Sequence, residues 1–308
     1  MGRQFNERET IRVMNEKVDL TSPDKLLWPK KKILKIDYLQ YLHDISPHLL
    51  PFLKDRALTV IRYPHGVEGE SFYQKNCPNY APEFIQTYRE NEIDYIVCSD
   101  LPTLIWLGNQ LAFELHIPFE TIGSQGPSEI VFDLDPPSRD EFTLAVEAAL
   151  IMKEIFDELH LISFVKTSGN KGLQIYIPLP ENQFSYADTR LFTKFIAEFL
   201  VSKQPKWFTI ERLKVNRGQK LYIDYVQHAR GKTMIAPYSV RGNEDALVAT
   251  PLFWDEVHYD LSPLQFPLET IKDRLKEKSC PFKAFFRAKE KQPFTPVLQW
   301  MKEKGIKI

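Results

Sequence analysis

The chain has 308 residues, which is enough for one large or two modest domains with a substantial core. Its 40 Lys and Arg residues nearly balance 41 Asp and Glu residues, so a formal net charge of −1 gives no global signal for nucleic-acid binding. Cys77, Cys98 and Cys280 are scattered and form no CxxC pair, which argues against a disulfide framework and a zinc site. The N-terminal residues lack a signal-peptide core and no run is apolar enough to span a bilayer, so we expect a cytoplasmic protein without a membrane partner.

The first part of the chain predicts alternating helices and strands. Apolar residues at helical spacing predict an amphipathic helix from Ile36 to about Leu50. Residues 57–63 and 71–75 predict a strand pair joined by the Gly-containing loop HGVEGE, and residues 94–98 predict another short strand. Residues 102–116 predict a helix, which would carry Asn109, Glu114 and His116 together.

The second part continues this alternation around several polar motifs. A long helix is predicted over residues 139–161, and two strands, 163–167 and 173–179, are predicted on either side of a tight SGNKG turn. A helix from about residue 186 to 201, a strand around Asp224 and a helix near Leu298 in a polar C-terminal region follow. The mixture predicts an α+β fold in which strands with carboxylates pack against helices.

Two strand-like runs carry carboxylates among apolar residues. In VFDLDPP, residues 131–137, Asp133 and Asp135 are two positions apart, so the period of a strand points both to one face. Asp224 lies in a similar run, KLYIDYVQHARGKT, residues 220–233. An isolated buried carboxylate costs several kcal/mol, so three of them call for a neutralising cation. Ligation by oxygen alone favours magnesium or manganese over zinc.

Other motifs have both a functional and an ordinary structural interpretation. TSGNKGL, residues 167–173, has the Ser, Gly and Lys of a phosphate-binding turn, but by itself it is also an ordinary β-turn. The basic run PKKKILK, residues 29–35, is typical of a solvated face. A lone histidine such as His116 is typical of a satisfied structural residue. Phe72 and Tyr73 fit the core by default, and stacking on a base is the alternative.

Taken together, six segments resemble the polymerase domain of bacterial DNA ligase D, a branch of the archaeo-eukaryotic primase superfamily. They occur in this order: LTSPDKLLWP (20–29), RYPHGVEGESFYQKN (62–76), LIWLGNQLAFELH (104–116), FDLDPP (132–137), SGNKGLQIYIPL (168–179) and IDYVQHARGKTMIAPYSVRG (223–242). The resemblance implies a primase-like α+β fold, with mixed or antiparallel sheets that carry the catalytic carboxylates and are flanked by helices.

The resemblance also implies the organisation of the chain. It implies a single polymerase catalytic domain over residues 1–308. A phosphate-recognition segment would occupy about 1–50, a catalytic core about 51–260 and a C-terminal tail about 261–308. The lysine-x-aspartate-glycine motif of an adenylating ligase is missing from the sequence, so we expect the polymerase module alone, either free-standing or cut from a longer protein.

The function that the resemblance implies is template-directed nucleotidyl transfer at broken DNA ends during non-homologous end joining, with ribonucleotides preferred. Two ions, Mn²⁺ or Mg²⁺, and an NTP or dNTP substrate would take part. The implied partners are gapped or broken DNA with a downstream 5′-phosphate, the end-binding protein Ku and a DNA ligase domain. The implied location is the bacterial cytoplasm, associated with the nucleoid.

Individual residues receive roles from the same resemblance. Asp133, Asp135 and Asp224 match the catalytic metal ligands. Lys25 and Lys35 match a lysine pair that binds the downstream 5′-phosphate. The positions that contact the nucleotide are matched by Phe72, Tyr73, His116, Ser168, Lys171, Arg217, Gln227 and Arg241.

The sequence departs from the usual family pattern at several positions. Ser22 replaces an asparagine that often helps to hold the phosphate, which predicts a weaker pocket. Gln174 replaces a common histidine and His228 a common asparagine, while HIPFET stands where a tryptophan-containing segment is common. None of these changes removes a metal ligand.

Two other functional classes remain as alternatives. A phosphohydrolase of the haloacid-dehalogenase type also begins from a strand ending in Asp-x-Asp, but it expects a small Thr or Val where Pro137 stands and does not require Asp224. A DNA-end-binding module without catalysis would have no need of the three carboxylates.

Overall fold

Residues 8–306, the part of the chain that the computed structural model describes, form seven α-helices and sixteen β-strands. The helices are α1 (Lys35–Leu53), α2 (Leu101–Asn109), α3 (Phe142–Glu158), α4 (Tyr186–Lys203), α5 (Leu268–Lys278), α6 (Phe285–Lys291) and α7 (Phe294–Glu303). The strands are β1 (Arg8–Val13), β2 (Glu16–Thr21), β3 (Leu26–Trp28), β4 (Ile33–Leu34), β5 (Thr59–Arg62), β6 (Phe72–Gln74), β7 (Gln86–Glu90), β8 (Ile93–Val97), β9 (Ala112–Pro118), β10 (Glu129–Asp135), β11 (Phe164–Thr167), β12 (Leu173–Pro178), β13 (Phe208–Thr209), β14 (Leu221–Asp224), β15 (Thr233–Ile235) and β16 (Pro251–Leu252).

These elements belong to two compact units, each of which is made of three separate segments of the chain. Unit 1 consists of residues 8–117, 234–249 and 266–277. Unit 2 consists of residues 118–233, 250–265 and 278–306. Each unit has its own main sheet, with strand order β15-β9-β5-β6 in unit 1 and β13-β14-β10-β12-β11-β16 in unit 2.

The core of unit 1 is built on aromatic side chains that fix strand β9. The Trp28 ring stacks on Phe113 of β9, with centroids 4.2 Å apart, and Tyr38 of α1 meets both rings edge-on. Tyr63, directly after β5, stacks on Phe113 with centroids 4.8 Å apart. Offset and edge contacts of this kind stabilise a core beyond the area they bury. They also hold the hydroxyl of Tyr63 next to the polar residues of β9.

The helix predicted over residues 102–116 is wrong in its second half. Helix α2 ends at Asn109, Leu111 turns the chain with φ of 62°, and residues 112–118 form β9. Apolar Phe113, Leu115 and Ile117 alternate with polar residues, which is the period of a strand. Glu114 and His116 therefore share a strand rather than a helix with Asn109.

The sheet of unit 2 is mixed, since β13 pairs with β14 in parallel while the other pairings are antiparallel. Its central strand β10 is nearly continuous apolar sequence, and Ile130, Val131, Phe132 and Leu134 are buried. Helices α3 and α4 pack against this strand. Burial against helices explains why β10 lacks the alternation of a half-exposed strand.

Most of the other predicted elements are confirmed with small shifts at their ends. They are α1, α3, α4, α7, the β5–β6 pair, β8, the β11–β12 pair and β14. The sequence reasoning missed the β1–β2 hairpin and helices α5 and α6. Within residues 8–306, no helix has the length and apolar character needed to cross a membrane.

Candidate active site

The carboxylate strands of unit 2 meet as neighbours in the sheet. Asp133 of β10 lies directly opposite Asp224 of β14 in antiparallel register, and Asp135 lies opposite Tyr222. Directly opposed residues in such a pair have Cβ atoms about 4.5–5.5 Å apart. The register thus brings Asp133 and Asp224 together from positions far apart in the sequence, with Asp135 two residues farther along β10.

Each of these carboxylates has its own hydrogen-bond partners. The Gln174 side chain of β12 donates to Oδ1 of Asp133 at 3.0 Å. Oδ1 of Asp224 accepts from the Gln227 backbone N–H at 2.9 Å and from the Tyr222 hydroxyl at 3.1 Å. Both of these contacts are made to the same oxygen of Asp224.

Asp135 is the carboxylate with cationic partners. Lys171 Nζ lies 3.0 Å from one of its oxygens and Arg217 Nη1 lies 3.7 Å from the other. The Arg217 guanidinium stacks over Tyr222 at 3.6 Å from the ring centroid, and its Nε donates to the Glu211 carbonyl. Arg217 and Lys171, both predicted nucleotide contacts, are therefore next to a predicted metal ligand.

The surroundings of Asp133 disfavour its ionised form. Burial, followed by the charges of Asp135 and Asp224, raises the pKa of Asp133 to about 6 against the opposing effects of Gln174 and Lys166. The Lys166 ammonium is buried and donates to Gln174 at 2.5 Å. Gln174, which replaces a common family histidine, thus joins a buried cation to Asp133.

The donor chemistry of the three carboxylates fits a hard divalent cation. All the candidate ligand atoms are oxygens, and burial together with the neighbouring charges of Asp135 and Asp224 disfavours the ionised form of Asp133 in the absence of a cation. Over residues 8–306, the side chains do not form a group of three or more His, Cys, Asp or Glu residues arranged to hold a metal ion.

The SGNKG turn lies over the end of β10 and is internally hydrogen-bonded. The Ser168 hydroxyl accepts from the backbone N–H groups of Asn170, at 3.2 Å, and Gly172, at 3.0 Å. A Cβ on Gly172 would lie 2.1 Å from the Leu134 carbonyl, so only glycine permits this approach. Lys171 Nζ donates to the Pro136 carbonyl at 2.6 Å. The turn therefore packs closely against the end of β10 and is hydrogen-bonded to the residue that follows it.

Gln227 and His228 follow β14 in a turn. The Gln227 side chain donates to the Thr233 carbonyl at 2.8 Å. His228 is buried and its Nε2 lies 2.9 Å from Thr189 Oγ1. Burial, with the nearby charge of Arg190, lowers the pKa of His228 to about 3, so this imidazole is neutral at physiological pH. His228 is a structural residue of the turn.

In unit 1, the predicted nucleotide residues His116 and Arg241 bind one carboxylate. Glu114 Oε2 lies 2.9 Å from His116 Nε2 and 2.7 Å from Arg241 Nη1. Its Oε1 accepts from the Tyr63 hydroxyl at 2.9 Å and from the Gly242 N–H at 3.0 Å. Burial acts to raise the pKa of Glu114, but His116 and Arg241 together lower it to about 2.

Phe72 and Tyr73 on β6 are exposed by 44% and 73%, so the core interpretation of this pair is wrong. Arg62 of β5 lies over the Phe72 ring at 5.4 Å and donates to Gln74 and to the Tyr80 hydroxyl, both at 2.9 Å. Tyr80 is itself 62% exposed. The sequence reasoning missed Arg62, which lies over the Phe72 ring, and Tyr80, whose hydroxyl accepts from Arg62.

The predicted lysine pair of unit 1 is brought together by the backbone. The Lys35 N–H donates to the Lys25 carbonyl at 2.8 Å, where α1 begins. Lys35 Nζ donates to the Thr21 carbonyl at 2.5 Å, and Lys25 Nζ donates to the Pro64 carbonyl. Burial, and then the charge of Lys25, lowers the pKa of Lys35 to about 8. Ser22, beside Thr21, has φ of 46°.

Comparison with known proteins identifies the family. Residues 34–282 match the family profile described as "LigD, primase-polymerase domain". The chain is 51% identical over 292 residues to the bifunctional non-homologous end joining protein LigD of Bacillus subtilis (strain 168), covering 95% of this chain and 48% of that protein. It is 34% identical over 271 residues to the multifunctional non-homologous end joining protein LigD of Mycolicibacterium smegmatis, covering 85% of this chain and 35% of that protein.

A solved structure agrees with these sequence relatives. The polymerase domain from Mycobacterium tuberculosis ligase D in complex with DNA matches with a TM-score of 0.81 and 27% identity, over 90% of this chain and 99% of that chain. The likeness confirms the predicted α+β, primase-like fold. The chain spans about half or less of the length of these curated relatives. It belongs to the LigD primase-polymerase family, a family of DNA-directed nucleotidyltransferases.

Proposed function

We propose that this chain is a template-directed DNA and RNA polymerase that fills gaps and extends ends during non-homologous end joining of double-strand breaks, with ribonucleotides preferred. The observation that carries the proposal is the direct opposition of Asp133 and Asp224 across β10 and β14, with Asp135 at the end of the same strand. The B. subtilis relative named for non-homologous end joining supports it. The M. tuberculosis domain bound to DNA supports the choice of DNA as partner.

Asp133, Asp135 and Asp224 are the proposed ligands of two divalent ions, Mn²⁺ or Mg²⁺. Bound at these oxygens, the ions would lower the pKa of the primer 3′-hydroxyl and neutralise charge on the triphosphate. Gln174 holds Asp133 in place through a hydrogen bond to one oxygen. Tyr222 does the same for Asp224. These contacts orient the carboxylates before any ligand arrives, which is the role of hydrogen bonds around metal ligands generally.

The nucleotide contacts in unit 2 are proposed at Ser168, Lys171, Arg217 and Gln227. Lys171 pairs with Asp135 in this structure, and the same ammonium suits an oxygen of the triphosphate. Arg217, stacked on Tyr222, presents a second cation at the same carboxylate. Both side chains would exchange an internal partner for a phosphate when the nucleotide binds.

The nucleotide contacts in unit 1 are proposed at His116 and Arg241 for phosphate and at Phe72 and Tyr73 for the base. The exposed rings on β6 support a stacking role, because exposed aromatic faces on a rigid strand are suited to bases. Stacking of this kind contributes about 1–3 kcal/mol per base. One ring of the pair would stack on the nascent base pair.

The downstream 5′-phosphate is proposed to bind at Lys25 and Lys35, with Ser22 beside them. The two ammonium groups come from a turn and from the first residue of α1, and a helix N-terminus itself favours anions. A terminal phosphate carries more negative charge than an internal phosphodiester. The pocket would therefore select a gap or a broken end over continuous duplex.

We further propose that residues 1–308 act as one polymerase catalytic domain, with the three segments predicted from the sequence. The proposed partners are gapped or broken DNA, nucleoside triphosphates, the end-binding protein Ku and a DNA ligase domain. This activity requires access to the bacterial chromosome, so a cytoplasmic, nucleoid-associated location remains our prediction.

A single assay separates this function from its alternatives. The protein is incubated with Mn²⁺, a labelled nucleotide and a duplex that has a one-nucleotide gap with a downstream 5′-phosphate. We expect incorporation of the nucleotide that matches the template base. Release of phosphate without extension would indicate a phosphohydrolase, and DNA binding without either product would indicate an end-binding module. Either of the last two results would contradict the proposal.

A further inference from the structure

Glu114 is a buried carboxylate without an assigned role in the reaction. Its side chain is 7% exposed, whereas those of its two cationic partners, His116 and Arg241, are 13% and 27% exposed. The anion is therefore the inner member of the group, and the two nitrogen-bearing side chains reach farther toward solvent. An acidic residue at a buried strand position costs free energy unless its partners compensate for the loss of water.

The four donors are divided evenly between the two carboxylate oxygens. Oε2 receives His116 and Arg241, while Oε1 receives Tyr63 and the backbone of Gly242. Only an ionised carboxylate accepts at both ends, because an amide has one accepting oxygen and two N–H donors of its own. Through Oε1, Glu114 is held by Tyr63 and the backbone of Gly242. Through Oε2, Glu114 binds the side chains of His116 and Arg241.

The local backbone is shaped around this contact. A Cβ at Gly242 would lie 1.9 Å from the Tyr63 hydroxyl and 2.0 Å from its ring carbon, so a larger residue would collide with that ring. The absence of a side chain lets the Gly242 N–H reach Glu114. The backbone N–H of Gly242 therefore helps to position the Glu114 carboxylate, which in turn binds Arg241.

We propose that Glu114 is a positioning residue that holds the His116 imidazole and the Arg241 guanidinium in the orientation that binds the phosphates of the incoming nucleoside triphosphate. The inference rests on the proposed function, since His116 and Arg241 are nucleotide contacts only there. A guanidinium has five N–H donors, and the contact with Glu114 occupies Nη1. The remaining donors stay available to phosphate in a fixed plane. Holding both side chains in advance removes the entropy loss that nucleotide binding would otherwise impose on them.

The test compares two substitutions at opposite ends of the carboxylate. Glu114→Gln cannot satisfy all four donors, whereas Tyr63→Phe removes one donor from Oε1 and leaves the contacts at Oε2 in place. Gap filling is measured with Mn²⁺ over a range of nucleotide concentrations. We expect Glu114→Gln to raise the nucleotide KM about tenfold or more, with a smaller fall in kcat and unchanged affinity for gapped DNA. Tyr63→Phe should raise KM by less than about threefold.

A double-mutant cycle distinguishes positioning from a general structural effect. If Glu114 acts through His116 and Arg241, adding Glu114→Gln to the His116→Ala, Arg241→Ala variant should change KM by no more than about twofold. A Glu114→Gln effect of full size in that background, or a wild-type KM in Glu114→Gln alone, would overturn the inference while leaving the nucleotide pocket intact. A wild-type KM in both His116→Ala and Arg241→Ala would overturn the pocket and the inference together.

Folding is followed separately so that the result stays interpretable. Thermal unfolding establishes whether Glu114→Gln is folded at the assay temperature. If it is not, Glu114→Asp replaces it in the same cycle, since it keeps the charge but withdraws the carboxylate by one methylene. The same two outcomes then apply, with non-multiplicative KM effects supporting the inference and multiplicative effects contradicting it.

Discussion

Asp133 in unit 2 is partly buried and Glu114 in unit 1 is buried, and the pKa values of these two carboxylates move in opposite directions. Burial acts to raise both. For Asp133 the neighbouring charges of Asp135 and Asp224 add to this effect, and the pKa rises to about 6. For Glu114, His116 and Arg241 overcome it, and the pKa falls to about 2.

The difference lies in what surrounds each group. Glu114 receives four hydrogen bonds and is electrostatically complete within the protein. Asp133 is partly buried and accepts one hydrogen bond from Gln174, and the charges of Asp135 and Asp224 raise its pKa more than the charge of Lys166 lowers it. A carboxylate beside like charges is suited to binding a cation, while a buried anion with ample donors is suited to a structural anchor. We therefore propose metal binding for the first and positioning for the second.

The largest expected effect is the loss of activity in Asp133→Ala and Asp224→Ala. Metal ions supply several kcal/mol of transition-state stabilisation, so primer extension should fall by about a thousandfold or more. Affinity for gapped DNA should change little. Asp157→Ala, which removes an acid from the surface of α3, is the matched control and should retain activity. Substantial extension by either site variant would remove the metal assignment.

The comparison also predicts opposite effects on folding. Without metal at pH 7, Glu114→Gln should lower the free energy of unfolding by roughly 3 kcal/mol, because it leaves buried donors without an anion. Asp133→Asn should raise it by about 1 kcal/mol, because it removes like-charge repulsion at the same volume. Urea unfolding in the presence of a chelator measures both. Changes of the same sign in the two variants would contradict the proposed distinction.

Loss of Lys25 and Lys35 should weaken the binding of gapped DNA rather than slow the catalytic step. The Lys25→Ala, Lys35→Ala double variant should lose the advantage of a downstream 5′-phosphate, about tenfold or more in affinity for gapped DNA. Extension of an open primer–template without a downstream strand should stay near wild type. Lys30→Ala with Lys31→Ala is a matched control, because both lysines belong to the same basic run.

Two conditions sharpen this test in the wild-type protein. The pKa of Lys35 is about 8, below its usual 10.5, and phosphate binds the protonated form. The phosphate advantage should therefore be nearly complete at about pH 7 and below, and decline as the pH rises through about 8. It should also shrink with added salt. Equal affinity for gapped DNA with and without the 5′-phosphate at pH 7 would make the pocket wrong, with Ser22 the first departure to test.

The smallest effect is expected at Ser168. Ser168→Ala removes one acceptor for the turn and one proposed phosphate contact, about 0.5–1.5 kcal/mol of nucleotide affinity. Arg241→Ala should weaken nucleotide binding more, because its contact with phosphate is charge-assisted. Nucleotide titrations on gapped DNA measure both. Wild-type affinity in Arg241→Ala would place that arginine outside the pocket.

Local patterns account for the elements that the sequence predicted correctly. The apolar spacing of α1 and the apolar run of β10 are visible within one segment, and the opposed carboxylates follow once β10 and β14 pair. Strand β9 was missed because leucines at positions 104, 107, 111 and 115 continue the helical spacing of α2 past a turn made without glycine. Alternation from Phe113 to Ile117 was the signal that could have located it.

The partners of the site residues are harder to predict, because they come from distant parts of the chain. Glu114 and Arg241 are separated by 127 positions, and no local pattern connects them. The contact between Lys171 and the Pro136 carbonyl spans 35 positions. Most of the candidate residues could therefore be predicted from the sequence, but their hydrogen-bond partners could not.

Manganese binding tests the central distinction most directly. Free Mn²⁺ is measured by electron paramagnetic resonance as it is titrated into wild type, Asp133→Asn and Glu114→Gln, each bound to gapped DNA without nucleotide. We expect wild type and Glu114→Gln to bind Mn²⁺ alike and Asp133→Asn to lose at least tenfold in affinity, since a neutral amide replaces a charged ligand. Equal binding by Asp133→Asn and wild type would contradict the assignment of the β10–β14 carboxylates as the metal site.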